Sequence, residues 1–249
     1  MSLKDRVIVI TGAASGMGLE TARLFAKKGA KISLADVQEK PLKDLEAELQ
    51  QSGAQVIAQV VDVRDRKAVE AWVTATVEKF GKLDGAANLA GVIGKQANIA
   101  GIDALEDDDW DFVMGVNVVG LKNCLRAQVP HFNEGAAIVN AASILGLIGA
   151  AKNLAYCALK HAVDGMTRAA AKELGPKKIR VNCICPGPID TPMLRKSIEI
   201  KGSEIDWSFL ALGRAAHQAE VPPLIEFLTS DASSFITTDA MQIDGGWYC

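Results

Sequence analysis

Cysteine and histidine are scarce in this sequence, and their spacing fits neither a metal site nor a disulfide framework. Among 249 residues there are five cysteines, an odd number, and three histidines. The cysteines lack the paired spacing of zinc ligands or of a disulfide-rich protein, and the histidines are scattered along the chain. Cys183 and Cys185 alternate within an apparent strand, so we expect them to pack on one face as small apolar side chains. The sequence therefore predicts no metal site.

A strong net charge and a long apolar run are also missing. The 27 basic and 30 acidic residues leave a net charge of −3, which provides no basic surface for nucleic acid or a membrane. The most apolar stretch, 136–151, contains Asn140 and Ser143 and is shorter than the roughly 20 residues of a membrane-spanning helix. The apolar run after Arg6 has four residues, too few for a signal peptide. We therefore predict a cytoplasmic protein that acts on a small molecule and binds neither nucleic acid nor a membrane.

Glycine, by contrast, is concentrated where the chain first changes its secondary structure. Residues 7–10 are apolar and mostly β-branched, as in a buried strand, and a glycine-rich turn over 11–18 follows at once. Apolar residues then recur at helical spacing over 19–28, and a second strand over 31–35 ends at Asp36. This order of strand, glycine turn, helix, strand and acidic residue is typical of a dinucleotide-binding βαβ unit.

The three glycines have separate roles in such a turn. Gly12 lets the chain leave the strand sharply, Gly16 lets the backbone approach a pyrophosphate, and Gly18 lets the helix pack close to the sheet. The free N–H groups of the first helical turn then face the phosphates. The sequence contains 22 glycines, so three glycines at this spacing would be weak evidence on their own. The flanking strands, the helix and Asp36 supply the context that the motif requires.

Asp36 also selects the cofactor. A carboxylate at the end of the second strand can accept hydrogen bonds from both adenosine ribose hydroxyls, and it would repel the 2′-phosphate of NADP. Val37 follows it rather than an arginine, and Ser15 rather than a basic residue precedes the second glycine. We therefore predict that the cofactor is NAD.

After Asp36, strand and helix patterns alternate almost to the end of the sequence. Helical patterns cover 41–51, 67–80, 107–129, 153–174 and 219–229, and strand patterns cover 55–60, 84–87, 136–140, 179–185 and 240–243. The alternation predicts a single α/β domain over 1–249, with a Rossmann-like doubly wound parallel sheet and helices on both faces. In such a sheet the ligand lies beyond the carboxyl ends of the strands.

Four polar residues complete the pattern. Tyr156 and Lys160 are four residues apart at the start of a helix, which places both side chains on one face. Ser143 follows the preceding strand, and Asn117 lies on the helix before that strand. Together with the glycine turn, these residues make the sequence resemble the short-chain dehydrogenase/reductase family. The motifs follow the family's order and spacing over 6–246, essentially the whole chain.

The resemblance implies a catalytic role for each of the four. Tyr156 would be the general acid/base, Ser143 would hold and polarise the substrate oxygen, and Asn117 would position a water in a proton relay. Lys160 would bind the nicotinamide ribose and lower the pKa of Tyr156. One ammonium about 5 Å away is worth about 3 kcal/mol at an effective dielectric near 20, so we expect Lys160 to be nearly sufficient for that shift.

The same resemblance implies the contacts with NAD. Asp62 and Val63 would contact the adenine, 88–91 would line the adenosine side, and Ile189 and Thr191 would hold the carboxamide. The predicted cofactor-binding residues are Gly12, Ser15, Gly16, Met17, Gly18, Asp36, Val37, Asp62, Val63, Asn88, Ala90, Gly91, Tyr156, Lys160, Pro186, Gly187, Ile189 and Thr191.

The substrate is inferred from the segments expected to line the pocket, which are 92–99, 144–148 and the loop over about 188–215. These segments are mostly apolar, with no arginine placed to bind a carboxylate, and they predict an uncharged, apolar secondary alcohol or ketone. Trp207 and Phe209 would line this pocket, or would instead anchor a lid or pack in an interface. The resemblance also implies a homotetramer, or a homodimer, formed through the two long helices and the C-terminal end.

Two other functions are compatible with the same scaffold. One is an enzyme without net redox chemistry, such as a dehydratase, an epimerase or a cyclase that holds the nucleotide. The other is a noncatalytic nucleotide sensor. The presence of Asn117, Ser143, Tyr156 and Lys160 argues against the sensor, because a sensor has no need of an acid/base group.

Overall fold

The first apolar run forms strand β1 (Val7–Thr11), in which every residue is buried. The computed structural model describes residues 3–248. In this range the main sheet also contains β2 (Lys31–Asp36), β3 (Val56–Val60), β4 (Leu83–Asn88), β5 (Phe132–Ala141), β6 (Arg180–Pro186) and β9 (Ala240–Ile243). The short strands β7 (Ile189–Asp190) and β8 (Ala216–His217) pair separately.

The order of the strands creates a crevice at the end of β1. The main sheet runs β3-β2-β1-β4-β5-β6-β9, and all its pairs are parallel. After β3 the chain crosses to the other side of β1, where Thr11 aligns with Ala35 of β2 on one side and with Asn88 of β4 on the other. Helices on opposite faces diverge at such a reversal, so a ligand crevice opens beyond the carboxyl ends of β1 and β4.

Helices cover both faces of the sheet because its central strands are apolar on both faces. Ile8 and Ile10 of β1 belong to the apolar cluster on one face, and Val7 and Val9 belong to the cluster on the other face, with Trp72. The α-helices are α1 (Gly16–Lys27), α2 (Glu39–Gln51), α3 (Arg66–Phe80), α4 (Asp107–Met114), α5 (Gly120–Gln128), α6 (Leu154–Leu174), α7 (Pro192–Lys201) and α8 (Pro222–Thr229). The predicted Rossmann-like α/β fold is confirmed.

The largest differences from the sequence-based prediction lie in three segments. The helix predicted over 107–129 is divided into α4 and α5 by a π-helical turn (Gly115–Val119), which the apolar spacing alone does not reveal. Strand β5 begins at Phe132, four residues before the predicted strand. The loop predicted over 188–215 contains α7, which was not predicted. This helix begins at Pro192, and the Thr191 hydroxyl caps it by accepting a hydrogen bond from the N–H of Leu194.

Candidate active site

The glycine turn after β1 is packed too closely to accept larger residues. Gly12 and Gly16 have φ values of +70° and +54°, in the left-handed region that favours glycine. A Cβ on Gly12 would lie 2.8 Å from the backbone nitrogen of Ala90, and a Cβ on Gly18 would overlap the carbonyl oxygen of Gly12. The turn therefore places backbone without side chains next to the start of α1, as the sequence pattern predicts for a phosphate site.

A methyl group at Gly18 is expected to destabilise the protein and to abolish tight nucleotide binding. Gly18→Ala forces the turn away from α1, which should lower the free energy of unfolding by about 2–3 kcal/mol. The matched control is Gly175→Ala, because a Cβ there meets no atom within 4 Å and the residue is already in right-handed helical conformation. Chemical denaturation and calorimetric titration with NAD measure both effects. Equal stability of the two variants would contradict this description of the turn.

Asp36 connects the end of β2 to the glycine turn. Its Oδ2 accepts a hydrogen bond from the backbone N–H of Ala14 at 3.0 Å, and its Oδ1 accepts one from the N–H of Gln38, also at 3.0 Å. The carboxylate is 8% exposed, so it is fixed at the crevice rather than free in solvent. A ribose that reaches this position would meet a preorganised acceptor.

The cavity beside the turn has a volume of about 250 Å³ and a lining suited to an adenosine and its phosphates. The predicted cofactor residues on its wall are Gly12, Ser15, Gly16, Met17, Gly18, Asp36, Val37, Asp62, Val63, Ala90, Gly91 and Thr191. In the described part of the chain, the Ser15 side chain makes no capping hydrogen bond to the first turn of α1. The glycine cradle, this open helix N-terminus and the fixed Asp36 carboxylate all fit a dinucleotide.

The lining residues of this cavity that were not predicted include Arg64, Phe112 and Val116. The Arg64 guanidinium forms an ion pair with Asp62 at 2.6 Å and lies 5.6 Å from the centre of the Phe112 ring. The hydrogen bond from Arg64 lowers the pKa of Asp62 below its ordinary value. The position of Arg64 directly after Asp62-Val63 was the available signal in the sequence.

A second, larger cavity of about 470 Å³ adjoins the first at the end of the sheet. The two share five lining residues: Met17, Leu89, Gly91, Thr191 and Met193. The predicted residues Ser143, Tyr156, Lys160, Pro186, Gly187 and Ile189 all line the larger one. The nucleotide crevice and the predicted catalytic groups therefore form one continuous site.

Ser143, Tyr156 and Lys160 converge from the end of β5 and the start of α6. Ser143 Oγ donates a hydrogen bond to the carbonyl oxygen of Pro186 at 3.5 Å and accepts one from the N–H of Leu145 at 3.2 Å, and the Tyr156 side chain lines the same cavity. The Lys160 ammonium donates to the carbonyl oxygen of Ala141 at 2.8 Å and lies 5.5 Å from the centre of the Tyr156 ring. The spacing of four residues on α6 thus holds the phenol and the ammonium together over one strand end.

Burial dominates the ionisation of this pair. It raises the pKa of Tyr156 to about 12, although the Ser143 side chain acts in the opposite direction. It lowers the pKa of Lys160 to about 8. In the polypeptide alone, the pKa of Tyr156 therefore moves in the direction opposite to the predicted one, because burial disfavours the phenolate and Lys160 does not contribute to the shift.

Asn117 lies beside the two cavities without lining either. It sits in the π-helical turn, where its Nδ2 donates to the carbonyl oxygens of Val92 and Val113 at 3.1 and 2.8 Å. A Cβ on Gly91 would lie 2.7 Å from Asn117 Oδ1 and 3.8 Å from Lys160 Nζ. Asn117 therefore holds the segment after β4 close to Lys160.

The predicted cofactor residue Asn88 points into a buried polar network instead of a cavity. Its Nδ2 donates to Asn140 Oδ1 at 3.0 Å, and its Oδ1 accepts from Gln128 Nε2 at 2.9 Å. Asn140 donates in turn to Thr167 Oγ1 of α6 at 2.9 Å. The side chain of Asn88 thus joins β4 and β5 to the helix that carries Tyr156, and it contributes no lining to the crevice.

The walls of the larger cavity are mostly apolar, as predicted, and they include Trp207 and Phe209. They contain no arginine, aspartate or glutamate, and the two cations on them are Lys160 and Lys201. Asn98, Ser197 and Lys201 lie in the predicted pocket segments, whereas the lining residues Asn153 and Trp247 lie outside them and were missed by sequence reasoning. The sequence analysis treated Trp247 only as part of the C-terminal end. Because it is far along the chain from the other pocket residues, no sequence pattern indicated that it lines the cavity.

The cysteines are separate from this chemistry. Cys124, Cys157, Cys183 and Cys185 are free thiols, and Cys249 lies outside the described residues. Cys183 and Cys185 are buried in the same apolar cluster, as predicted. Within residues 3–248, no group of three or more His, Cys, Asp or Glu side chains is placed to hold a metal ion. No helix in the same range is long and apolar enough to cross a membrane.

Comparison with known proteins agrees with this geometry over the whole chain. Residues 12–248 match a family model described as enoyl-(acyl carrier protein) reductase. The short-chain dehydrogenase/reductase aba4 of Botryotinia fuckeliana is 48% identical over 251 residues, which cover 98% of this chain and 97% of that protein. Levodione reductase of Leifsonia aquatica is 37% identical, with 97% of this chain and 94% of that protein covered.

Solved structures show the same likeness in three dimensions. The crystal structure of levodione reductase superposes with a TM-score of 0.93 at 36% sequence identity, covering 98% of both chains. A 3-ketoacyl-(acyl-carrier-protein) reductase from Brucella melitensis, complexed with NADH, superposes with a TM-score of 0.89 at 32% identity, covering 99% of both chains. The chain therefore belongs to the short-chain dehydrogenase/reductase family and is an oxidoreductase.

Proposed function

We propose that this oxidoreductase uses NAD to interconvert a secondary alcohol and its ketone, and that the substrate is an uncharged, apolar molecule. One observation carries the proposal. The side chains of Ser143 and Tyr156 line an apolar cavity that is continuous with the glycine-turn crevice. An oxygen of the substrate can meet their hydroxyls while its carbon body contacts the apolar walls.

The residues divide the chemistry among them. When bound, the nicotinamide supplies a hydride to the carbonyl carbon in reduction and accepts one from the carbinol carbon in oxidation. The Tyr156 hydroxyl gives its proton to the carbonyl oxygen in reduction, and its phenolate form accepts the proton of the alcohol in oxidation. Ser143 holds that oxygen by a hydrogen bond, and Lys160 stabilises the phenolate that remains after proton donation. The predicted contact of Lys160 with the nicotinamide ribose is part of the proposal.

The preference for NAD rests on Asp36. Its carboxylate is fixed by two backbone N–H groups at the wall of the smaller cavity, next to Val37. A 2′-phosphate would approach this negative charge, whereas ribose hydroxyls would donate to it. The complex of the Brucella melitensis relative with NADH is in line with this choice.

The direct test is the absorbance of reduced nicotinamide with NAD and with NADP, across a panel of apolar secondary alcohols and ketones. We expect the native protein to prefer NAD, and Asp36→Ala to reduce that preference by about 10- to 100-fold through the loss of hydrogen bonds to a charged acceptor. Glu39→Ala is the neighbouring control, because Glu39 is an exposed carboxylate that lines neither cavity. A denaturation curve shows whether Asp36→Ala also destabilises the fold by losing the hydrogen bond from the N–H of Ala14. A native preference for NADP would overturn the cofactor assignment.

The organisation of the protein is part of the same proposal. We expect a single domain over 1–249, because five residues line both cavities. We also propose a homotetramer, or a homodimer, which is supported by the exposed apolar side chains Phe112, Val119 and Leu154 on the helices named by the family resemblance. The free thiols favour the reducing cytoplasm. Light scattering of the purified protein would establish the assembly.

A further inference from the structure

Three aromatic rings form one wall of the larger cavity, and we call them the aromatic wall: Trp207, Phe209 and Trp247. The Phe209 and Trp247 rings meet edge to face with their centres 4.9 Å apart, and the Trp207 and Phe209 centres are 6.2 Å apart. Phe209 is 43% exposed. Only 5% of the sequence is aromatic, so the concentration of three rings at one surface of the site requires an explanation beyond chance.

The turn at 244–248 holds Trp247 in place. The Asp244 carboxylate accepts hydrogen bonds from the N–H groups of Gly246 and Tyr248 at 3.0 and 2.8 Å. Gly245 and Gly246 have φ values of +68° and +78°, which allow the sharp turn. The N–H of Leu212 donates to the carbonyl oxygen of Gly245 at 3.0 Å. These bonds tie the turn to the segment that follows Trp207 and Phe209, so the wall is built before any ligand arrives.

The polar side chains of the same cavity are largely engaged with one another. Asn98 Nδ2 donates to Ser197 Oγ at 2.8 Å, and Asn153 Nδ2 donates to Asn98 Oδ1 at 2.9 Å. No acidic side chain lines the cavity. Apart from the exposed Lys201, directional recognition is therefore concentrated at Ser143 and Tyr156, and the rest of the substrate must be selected by its shape and its apolar surface.

From these contacts we infer that the substrate carries a flat ring or conjugated carbon body next to its reacting carbon, and that Trp247 is a specificity-determining residue that stacks with it. Aromatic rings bind a flat, unsaturated partner more strongly than the buried apolar area alone would give. A flexible alkyl chain of the same size would lose more conformational freedom on binding. This inference rests on the proposed reaction at Ser143 and Tyr156, but its binding surface is separate from those groups.

The test uses two uncharged ketones of eight carbons each, acetophenone and 2-octanone, with NADH and the full-length protein. In Trp247→Leu we expect the ratio of kcat/KM for acetophenone to that for 2-octanone to fall about tenfold. Comparing this ratio between variants cancels the different intrinsic reactivities of the two carbonyls. Phe209→Leu should change it in the same direction. Trp110→Leu is the matched control, because Trp110 lines neither cavity, and it should leave the ratio within about twofold.

A binding measurement separates this inference from the proposed reaction. If neither ketone is turned over with either nucleotide, the proposed reaction fails, and the dissociation constants of both ketones in the presence of NAD then decide the inference. Tighter binding of acetophenone that weakens about tenfold in Trp247→Leu supports the aromatic wall. The inference is overturned if the native protein binds both ketones equally, or if both leucine variants leave the ratio unchanged.

Discussion

Tyr156→Phe is expected to lower kcat by about 10³-fold while changing the dissociation constant of NAD by less than about threefold. The substitution removes one oxygen from a side chain that lines the larger cavity together with Ser143. The ring and its position beside Lys160 remain. Steady-state absorbance of reduced nicotinamide gives kcat, and calorimetric titration gives the binding constant. Tyr248→Phe is the matched control, because it alters the only other tyrosine of the sequence and that residue is 44% exposed.

The pH dependence of the same reaction provides an independent check. Burial holds the pKa of Tyr156 at about 12, so the phenol is protonated at neutral pH and ready to donate in reduction. Oxidation requires the phenolate, so its rate should rise as the pH increases from 7 toward 10, while the rate of reduction should not rise. Both profiles should disappear in Tyr156→Phe. Substantial turnover by that variant, with unchanged profiles, would assign the proton transfer to another group.

Lys160→Met is expected to inactivate the enzyme and yet to raise its free energy of unfolding at pH 7 by about 1–2 kcal/mol. Lys160 is 4% exposed, and burial lowers its pKa from 10.5 to about 8. At pH 7 the lysine is charged in both the folded and the unfolded protein. Burying this charge in the folded protein is therefore unfavourable by about 3 kcal/mol. Loss of the hydrogen bond to Ala141 offsets part of the gain in the variant.

The sign of the pH dependence distinguishes this explanation from simple repacking. Between pH 8 and 10.5 the unfolded chain binds more protons at Lys160 than the folded protein does, so the native protein gains stability as the pH rises. The advantage of Lys160→Met should therefore shrink across this range and disappear near its upper end. Urea denaturation at pH 7 and pH 10 measures the change. Lys172→Met, on the exposed face of the same helix, should change the stability by less than about 0.5 kcal/mol at either pH. A variant less stable than the native protein at pH 7 would refute the unfavourable burial.

The sequence alone was sufficient for those parts of the site that depend on local geometry. The glycine turn requires only the spacing of Gly12, Gly16 and Gly18 between a strand and a helix, and Asp36 follows from the next strand. Tyr156 and Lys160 share a face because four residues make about one helical turn. The alternation of strands and helices likewise determines a parallel sheet, since parallel neighbours need helical crossovers. For these features, the contacts that matter are close along the chain or follow from the connection rules of α/β folds.

Only the tertiary structure decided what depends on packing between distant segments. Asn88 follows a strand that ends at the crevice, yet its side chain turns to Asn140 and Gln128, because buried amides need hydrogen-bond partners. The pKa of Tyr156 depends on how completely the surrounding chain excludes water, and no spacing within α6 reports that exclusion. Trp247 enters the cavity because Asp244 turns the chain back against the segment after Trp207. Local sequence patterns thus determined the chemistry of this protein, whereas long-range packing decided the environment of its reacting groups and the shape of its pocket.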